Sequence, residues 1–158
     1  RAIEYMILDI LNISHEQLEI IPKVLDITKF CHLTDNILYL IQYHSIKSAD
    51  IILNRIKTRQ LYKLVFETDN FTCIDNVVKK LKQHNVYDND NIVIDIVKLN
   101  YSMNDKNPLD YVFLYNGNEL VDTKKISGLL PKQFEETLIR IYVKNLNQFN
   151  KIKKIINL

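Results

Sequence analysis

Residues 47–67, with the sequence KSADIILNRIKTRQLYKLVFE, change their hydrophobic period partway along. The first half carries an apolar stripe at helical spacing, made by Ala49, Ile52, Leu53 and Ile56. This spacing predicts an amphipathic helix. From Leu61 to Phe66 most residues are aromatic or branched, a composition that favours an extended backbone. The segment therefore predicts a helix that leads into a strand near Arg59.

Two cations, Arg59 and Lys63, lie at this junction, four positions apart. On a helix they would share one face. On a strand they would lie on the same side together with Leu61, spread over roughly 13 Å at about 3.3 Å per residue. Paired positive charge beside an apolar side chain suits a polyphosphate with an attached base or sugar. From spacing alone, a solvated basic rim where a helix ends is the more ordinary interpretation.

The composition is that of a globular domain or of a piece of a larger protein. The chain has 158 residues, of which 47% are hydrophobic and 25% charged, and this balance argues against disorder. Its net charge of +2 is too small to indicate a nucleic-acid binder. There is no secretory signal and no apolar run of bilayer length. Because the chain opens at Arg1 inside an apparent helix, we expect a fragment cut from something longer.

The two cysteines, Cys31 and Cys73, are too few for a disulfide framework and lie in helical patterns. We expect both to be small, reduced core residues. This predicts an intracellular protein, either cytoplasmic or nuclear.

Apolar periodicity predicts helices in the first part of the chain. They cover residues 1–12, 22–43 and 47–58, with a short helix at 73–84 capped by Thr72. Residues 12–15 are expected to break the first helix. The second should bury Val24, Ile27, Phe30, Leu33, Ile37 and Ile41.

The character of the sequence changes after a polar loop at residues 85–91. Strands are predicted at 92–97, which should be covered on both faces, at 111–115 and 119–121 around Asn116-Gly117, and at 137–144. A one-turn helix is predicted at 131–135, and the tail is a weak basic helix or frayed. The fold class is therefore α+β, with N-terminal helices followed by a small, mostly antiparallel sheet. We expect one lobe, 1–158, that is helical over 1–58, mixed α/β over 59–145, and a weak helix or frayed tail over 146–158.

The sequence lacks the common patterns of catalysis. None of the four histidines has a partner at metal-ligand spacing, and none is followed by Asp. The chain has no Gly-rich phosphate loop, no nucleophile motif, and no carboxylate pair placed to split pKa values. We therefore predict no catalytic residue and no metal ligand within this chain.

Four runs of residues resemble, in the same order, the C-terminal half of the SAM- and HD-domain-containing deoxynucleoside triphosphate triphosphohydrolase family. They are 33–37 (LTDNI), 51–63 (IILNRIKTRQLYK), 92–110 (IVIDIVKLNYSMNDKNPLD) and a fourth within 129–142. The fourth consists of Leu129-Leu130-Pro131 with Phe134, followed by Glu136, Leu138-Ile139-Arg140 and Tyr142. The third run is the longest and most specific. The runs are spread from residue 33 to residue 142, so the resemblance extends over most of residues 1–145.

The resemblance implies a parent enzyme that cleaves a dNTP into deoxynucleoside and triphosphate with a divalent metal held by two His and two Asp. Those ligands precede the matched region in the family, so the fragment alone is expected to be inactive. In the family, the matched region is regulatory. It packs between subunits and lends cations to allosteric GTP or dNTP, bridged by Mg²⁺, which help to hold an active homotetramer together.

The resemblance also implies roles for four residues. Arg59 matches the family's arginine that grips activator phosphates, and Leu61 matches an apolar neighbour of the base or sugar. Lys63 and Lys106 match lysines that reach the same nucleotides. Guanidinium offers forked donors to phosphate oxygens, and ammonium groups add positive charge. Without the family, Lys106 is more simply a turn lysine before Asn-Pro.

Arg140 is expected to form a structural or interface ion pair, and Arg55 is expected to be a surface residue. Two other functions stay open. One is a nucleic-acid-binding module using Arg140 and the tail lysines Lys151, Lys153 and Lys154, which the small net charge disfavours. The other is a protein-interaction domain without nucleotide contacts. No membrane partner is expected.

Overall fold

The computed structural model describes residues 1–100, 103–121 and 133–157. Its helices are α1 (Ala2–Leu18), α2 (Ile20–Leu25), α3 (Ile27–Phe30), α4 (Ile37–Tyr43), α5 (Lys47–Lys57), α6 (Phe71–Gln83) and α7 (Phe149–Ile156). Its strands are β1 (Lys63–Thr68), β2 (Ile92–Asn100), β3 (Leu114–Asn116), β4 (Glu119–Val121) and β5 (Glu135–Val143). Among the described residues, 3₁₀ turns lie at Pro108–Tyr111 and Leu146–Gln148. The predicted α+β class, with helices first and a small, mostly antiparallel sheet, is confirmed.

The chain divides into two compact units. Unit 1 contains Arg1–Leu64 and Tyr142–Phe149, and unit 2 contains Val65–Ile141 and Asn150–Leu158. The strands β1 and β5 therefore each contribute residues to both units. The single lobe of residues 1–158 stays a prediction.

The core of unit 1 is a cluster of aliphatic side chains from α1, α4 and α5. Its buried members are Ile10, Leu18, Ile41, Ile46, Ala49 and Leu53. Ile52 and Ile56 of α5 pack against this cluster, so the predicted apolar stripe of the helix does face a core. Burial of each large aliphatic side chain stabilises the fold by about 1.5–3 kcal/mol.

The predicted break after residue 12 is wrong, because α1 continues without interruption to Leu18. Asn and Ser have low intrinsic helix propensity, but tertiary packing overrides it here. Ser14 is fully buried on the same helix as Met6 and Ile10. The helix ends at Glu19, which adopts a left-handed conformation with φ of 49°.

The single helix predicted over 22–43 is also wrong, since the segment forms α2, α3 and α4. The side chain of Asp26 accepts a hydrogen bond from the Thr28 N–H at 3.0 Å and thereby starts a new helix. Of the predicted inward residues, Ile41 is fully buried. Val24, Ile27 and Phe30 are instead 49%, 86% and 55% exposed.

Three strands form one sheet in the order β1-β5-β2. Ile92 and Val97 of β2 are buried, but Ile96 is 60% exposed, so the prediction that both faces are covered is wrong at that position. The other buried apolar residues of unit 2 include Val77 and Leu81 of α6, Ile139 and Ile141 of β5, and Ile152, Ile155 and Ile156 of α7. The tail of the chain is therefore a well-anchored amphipathic helix.

The strands β3 and β4 form an antiparallel hairpin in which Asn116 pairs with Glu119. Gly117 has a φ of +64°, which glycine adopts without the steric cost of a Cβ. The hairpin predicted from Asn116-Gly117 is confirmed. Its first strand, predicted at 111–115, is wrong in its start, because Tyr111 ends a 3₁₀ turn and β3 begins at Leu114.

Three smaller predictions are corrected. Asn70, and not Thr72, caps α6, because the Asn70 side chain accepts the Thr72 N–H at 2.9 Å. Cys31 is exposed where α3 ends, and Cys73 is half-buried, so neither is a core residue. The one-turn helix predicted at 131–135 falls partly outside the described residues, and Glu135 belongs to β5.

No helix within the described ranges is long and apolar enough to cross a membrane.

Replacing Leu53 tests the core of unit 1. We expect Leu53→Ala to lower the free energy of unfolding by about 2–5 kcal/mol, because it removes a buried side chain and leaves a cavity. Ile51→Ala is the control on the same helix, since Ile51 is 63% exposed, and it should change the value by less than about 0.5 kcal/mol. Urea unfolding followed by circular dichroism measures both. An equal loss of unfolding free energy in Leu53→Ala and Ile51→Ala would contradict the placement of Leu53 in the core.

Candidate functional site

The end of α5 positions the predicted cations of unit 1. The Arg59 N–H donates to the Ile56 carbonyl at 3.1 Å, and the Gln60 N–H donates to the Arg55 carbonyl at 2.8 Å. This pair of hydrogen bonds closes the helix through a left-handed residue, and Arg59 is that residue, with φ of 60°. Glycine is the usual occupant of this position, because a Cβ there costs roughly 1 kcal/mol.

The side chains of Arg59 and Lys63 are both exposed in unit 1. Among the described residues, no carboxylate pairs with either cation. The Lys63 ammonium lies 5.1 Å from the centre of the Phe149 ring, a cation–π contact. Leu61, between them in the chain, is half-buried. The two predicted cations therefore lie at the surface of unit 1 without a carboxylate partner among the described residues.

Arg55 is the residue whose role the sequence did not reveal. Its Nε donates to the Gln60 carbonyl at 3.2 Å, and its Nη2 donates to the Lys144 carbonyl at 2.7 Å. Its guanidinium also lies 5.2 Å from the centre of the Tyr62 ring. Arg55 is thus a structural residue of unit 1, and the prediction of a surface role is wrong.

Tyr62 forms a second anchor beside the cations. Its side chain is buried, and its hydroxyl donates to Asp9 Oδ2 at 2.7 Å. Lys144 Nζ lies 2.6 Å from the same carboxylate oxygen and 5.7 Å from the ring centre. The four residues Asp9, Arg55, Tyr62 and Lys144, which we call the Tyr62 cluster, fix the backbone between the helix and β1.

Burial raises the pKa of the Tyr62 hydroxyl above its ordinary value, and the hydrogen bond to Asp9 raises it further. Both effects favour the neutral phenol in the folded protein. The neutral Tyr62 hydroxyl therefore makes its full contribution to the free energy of unfolding below about pH 10, the ordinary pKa of tyrosine. This contribution is lost as the pH rises above that value.

Lys106 lies in unit 2, in the turn that precedes the 3₁₀ turn at Pro108–Tyr111. Asn107 starts that turn by accepting the Leu109 N–H at 3.0 Å. The Lys106 side chain is exposed, and none of the hydrogen bonds or ion pairs of the described residues engages it. Its participation in one site with Arg59, Leu61 and Lys63 stays a prediction.

Arg140, also in unit 2, forms an ion pair with Glu67. This agrees with its predicted role as a structural pair, and it leaves Arg140 less available to nucleic acid. Across the described ranges, no group of three or more His, Cys, Asp or Glu side chains is arranged to hold a metal ion. The unit 1 cations fit phosphate oxygens and not a metal, so no metal-dependent step can be assigned to these residues.

The chain is similar to proteins of one family of enzymes. The deoxynucleoside triphosphate triphosphohydrolase SAMHD1 of Bos taurus is 32% identical over 145 residues, and that of Mus musculus is 32% identical over 158 residues. These matches cover 78% and 86% of this chain. The SAMHD1 homologue of Dictyostelium discoideum is 28% identical over 97% of the chain. The resemblance to the deoxynucleoside triphosphate triphosphohydrolase family is therefore confirmed.

The match concerns one region of those enzymes. The chain spans about a quarter of the length of the two mammalian relatives, 25% and 24%, and 32% of the Dictyostelium protein. No protein-family model matches the chain. A crystal structure of a hypothetical protein from Aquifex aeolicus superimposes with a TM-score of 0.57 and 18% identity, over 95% of this chain and 39% of that one. At this identity the likeness shows the fold alone.

Replacing Arg59 by glycine tests the strain at the helix end. We expect Arg59→Gly to raise the free energy of unfolding by about 0.5–1 kcal/mol, since glycine adopts a positive φ freely. Asn85→Gly is the matched control, because Asn85 ends α6 with the same hydrogen-bond pattern and a φ of 52°. Asparagine tolerates this conformation, so its replacement should change stability less. Urea unfolding measures the free energy of unfolding of both variants. A lower free energy of unfolding for Arg59→Gly would show that Arg59 is not strained at this position.

Replacing Tyr62 by phenylalanine tests the buried hydroxyl. Wild-type stability should fall as the pH rises above about 10, because the Tyr62 hydroxyl then ionises in the unfolded chain but not in the folded one. Tyr62→Phe should show a smaller fall, with urea unfolding at several pH values as the measurement. Tyr39→Phe, at an exposed tyrosine, should keep the wild-type dependence. Identical pH dependence in wild type and Tyr62→Phe would show that the hydroxyl is not held neutral.

Proposed function

We propose that the chain is the C-terminal regulatory and oligomerisation region of a dNTP triphosphohydrolase. The observation that carries this proposal is the helix end of unit 1, where Arg59 and Lys63 are exposed and have no carboxylate partner among the described residues. It lies in a region that matches enzymes named for dNTP hydrolysis. The parent enzyme, metal-dependent, cleaves a dNTP into deoxynucleoside and triphosphate, and its His and Asp metal ligands lie outside this chain.

In this proposal Arg59 and Lys63 bind the phosphates of an allosteric GTP or dNTP. A forked guanidinium gives two parallel donors to phosphate oxygens, and the ammonium adds a point charge beside them. Leu61 supplies apolar contact to the base or sugar, and Lys106 contributes a further cation. Mg²⁺ bound between two triphosphates would reduce their mutual repulsion. The ligands of such an ion would be nucleotide oxygens, since the residues assigned here to the nucleotide are cationic or apolar.

The nucleotide holds protomers together in an active homotetramer. A triphosphate carries more negative charge than Arg59, Lys63 and Lys106 of one protomer neutralise, so cations from a neighbouring protomer complete the site. For this reason the isolated chain should bind GTP only weakly. A micromolar dissociation constant for the chain alone would count against a site shared between protomers.

Assembly of the full-length protein that carries this chain is the direct test. At fixed Mg²⁺, Arg59→Ala and Lys63→Ala should each raise the GTP or dNTP concentration for half-maximal assembly by about 10–100-fold. This range follows from a loss of about 1.5–3 kcal/mol per charge-assisted hydrogen bond. Sedimentation velocity across a nucleotide titration measures it.

Lys47→Ala is the matched control for the loss of one positive charge. Lys47 is exposed at the opposite end of α5, ten residues before Lys57. Its replacement should shift assembly by less than about twofold, because exposed charges at that distance are largely screened. The proposal fails if Arg59→Ala and Lys63→Ala behave like Lys47→Ala. Salt-sensitive binding of oligonucleotides, with no response to free nucleotide, would instead support a nucleic-acid-binding module.

A further inference from the structure

The side chain of Arg55 encloses the turn that carries Arg59. Its backbone carbonyl accepts the Gln60 N–H at 2.8 Å, and its own Nε donates to the Gln60 carbonyl at 3.2 Å. Arg55 and Gln60 therefore exchange two hydrogen bonds across the left-handed residue between them. Few conformations of residues 58 and 59 are compatible with both bonds.

Arg55 is in turn held from two other directions within unit 1. Its Nη2 donates to the Lys144 carbonyl at 2.7 Å, and the Tyr62 ring centre lies 5.2 Å from its guanidinium carbon. Lysine could not replace it, because an ammonium group lacks the planar fork that reaches two carbonyls while stacking on a ring. The contacts of Arg55 thus fix the backbone before and after Arg59.

We propose that Arg55 is a positioning residue for phosphate binding: through Gln60, the Lys144 carbonyl and the Tyr62 ring it holds Arg59 in a preformed orientation. This inference rests on the proposed nucleotide site. Arg55 itself does not touch the nucleotide. A preformed orientation matters because a flexible arginine loses side-chain and backbone freedom when it binds, which weakens the complex.

A double-mutant cycle separates positioning from general stability. In the full-length protein, Arg55→Lys should raise the GTP concentration for half-maximal assembly by about tenfold when Arg59 is present. In the Arg59→Ala background it should have an effect below about twofold, because the residue it positions is absent. A purely structural loss would reduce assembly by the same factor in both backgrounds.

A second pair of variants tests the ring beneath Arg55. Tyr62→Phe keeps the ring and should stay within about threefold of wild type in the GTP titration. Tyr62→Leu keeps an apolar side chain but removes the aromatic ring, and it should resemble Arg55→Lys. Circular dichroism and urea unfolding of each variant give the folded fraction, so that assembly is compared per folded protein.

The possible failures are distinct. If Arg59→Ala leaves the GTP titration unchanged, the proposed nucleotide site is wrong, and the positioning role is overturned with it. If Arg59→Ala weakens assembly but Arg55→Lys has equal effects in both backgrounds, only the positioning role is overturned. If Tyr62→Phe and Tyr62→Leu require the same GTP concentration for half-maximal assembly, the Tyr62 ring does not help to position Arg59.

Discussion

The left-handed turn at Arg59 is the constraint on which the functional interpretation depends. The helix α5 ends there through two backbone hydrogen bonds, from Arg59 to Ile56 and from Gln60 to Arg55. Glycine would make the same turn at lower steric cost. An arginine at this position reduces local stability but places an exposed cation four positions before Lys63 in the chain.

Local anchoring and solvent-exposed charge are divided between different residues of unit 1. Arg55, Tyr62, Asp9 and Lys144 satisfy one another through hydrogen bonds, an ion pair and ring contacts. Arg59 and Lys63 take no part in those bonds. A rigid support with unneutralised cations at its surface is what a phosphate-binding surface requires, because charges already paired within the protein would have to exchange partners before binding an anion.

Sequence reasoning located elements whose evidence is local. The apolar stripe of α5, the Asn116-Gly117 hairpin and the α+β order all depend on patterns within about ten residues. Sequence reasoning failed where packing or capping determined the secondary structure. Packing continues α1 to Leu18, and the side chain of Asp26 caps a new helix inside the segment predicted as one helix. The role of Arg55 could not be predicted, because its hydrogen-bond partner Lys144 is 89 positions away in the sequence. The hydrogen bond between Tyr62 and Asp9 likewise joins residues that are 53 positions apart. The roles of Arg59, Leu61, Lys63 and Lys106 came from family resemblance and stay predictions.

The central claim is that Arg59 and Lys63 neutralise a triphosphate that joins one protomer to another. An experimental structure of the full-length protein with GTP, dNTP and Mg²⁺ tests this most directly. The account predicts phosphate oxygens within hydrogen-bond distance of both side chains, with a second protomer contacting the same nucleotide. It would be contradicted by an assembled protein in which Arg59 and Lys63 face away from the nucleotide, or in which each pairs with a carboxylate of its own protomer.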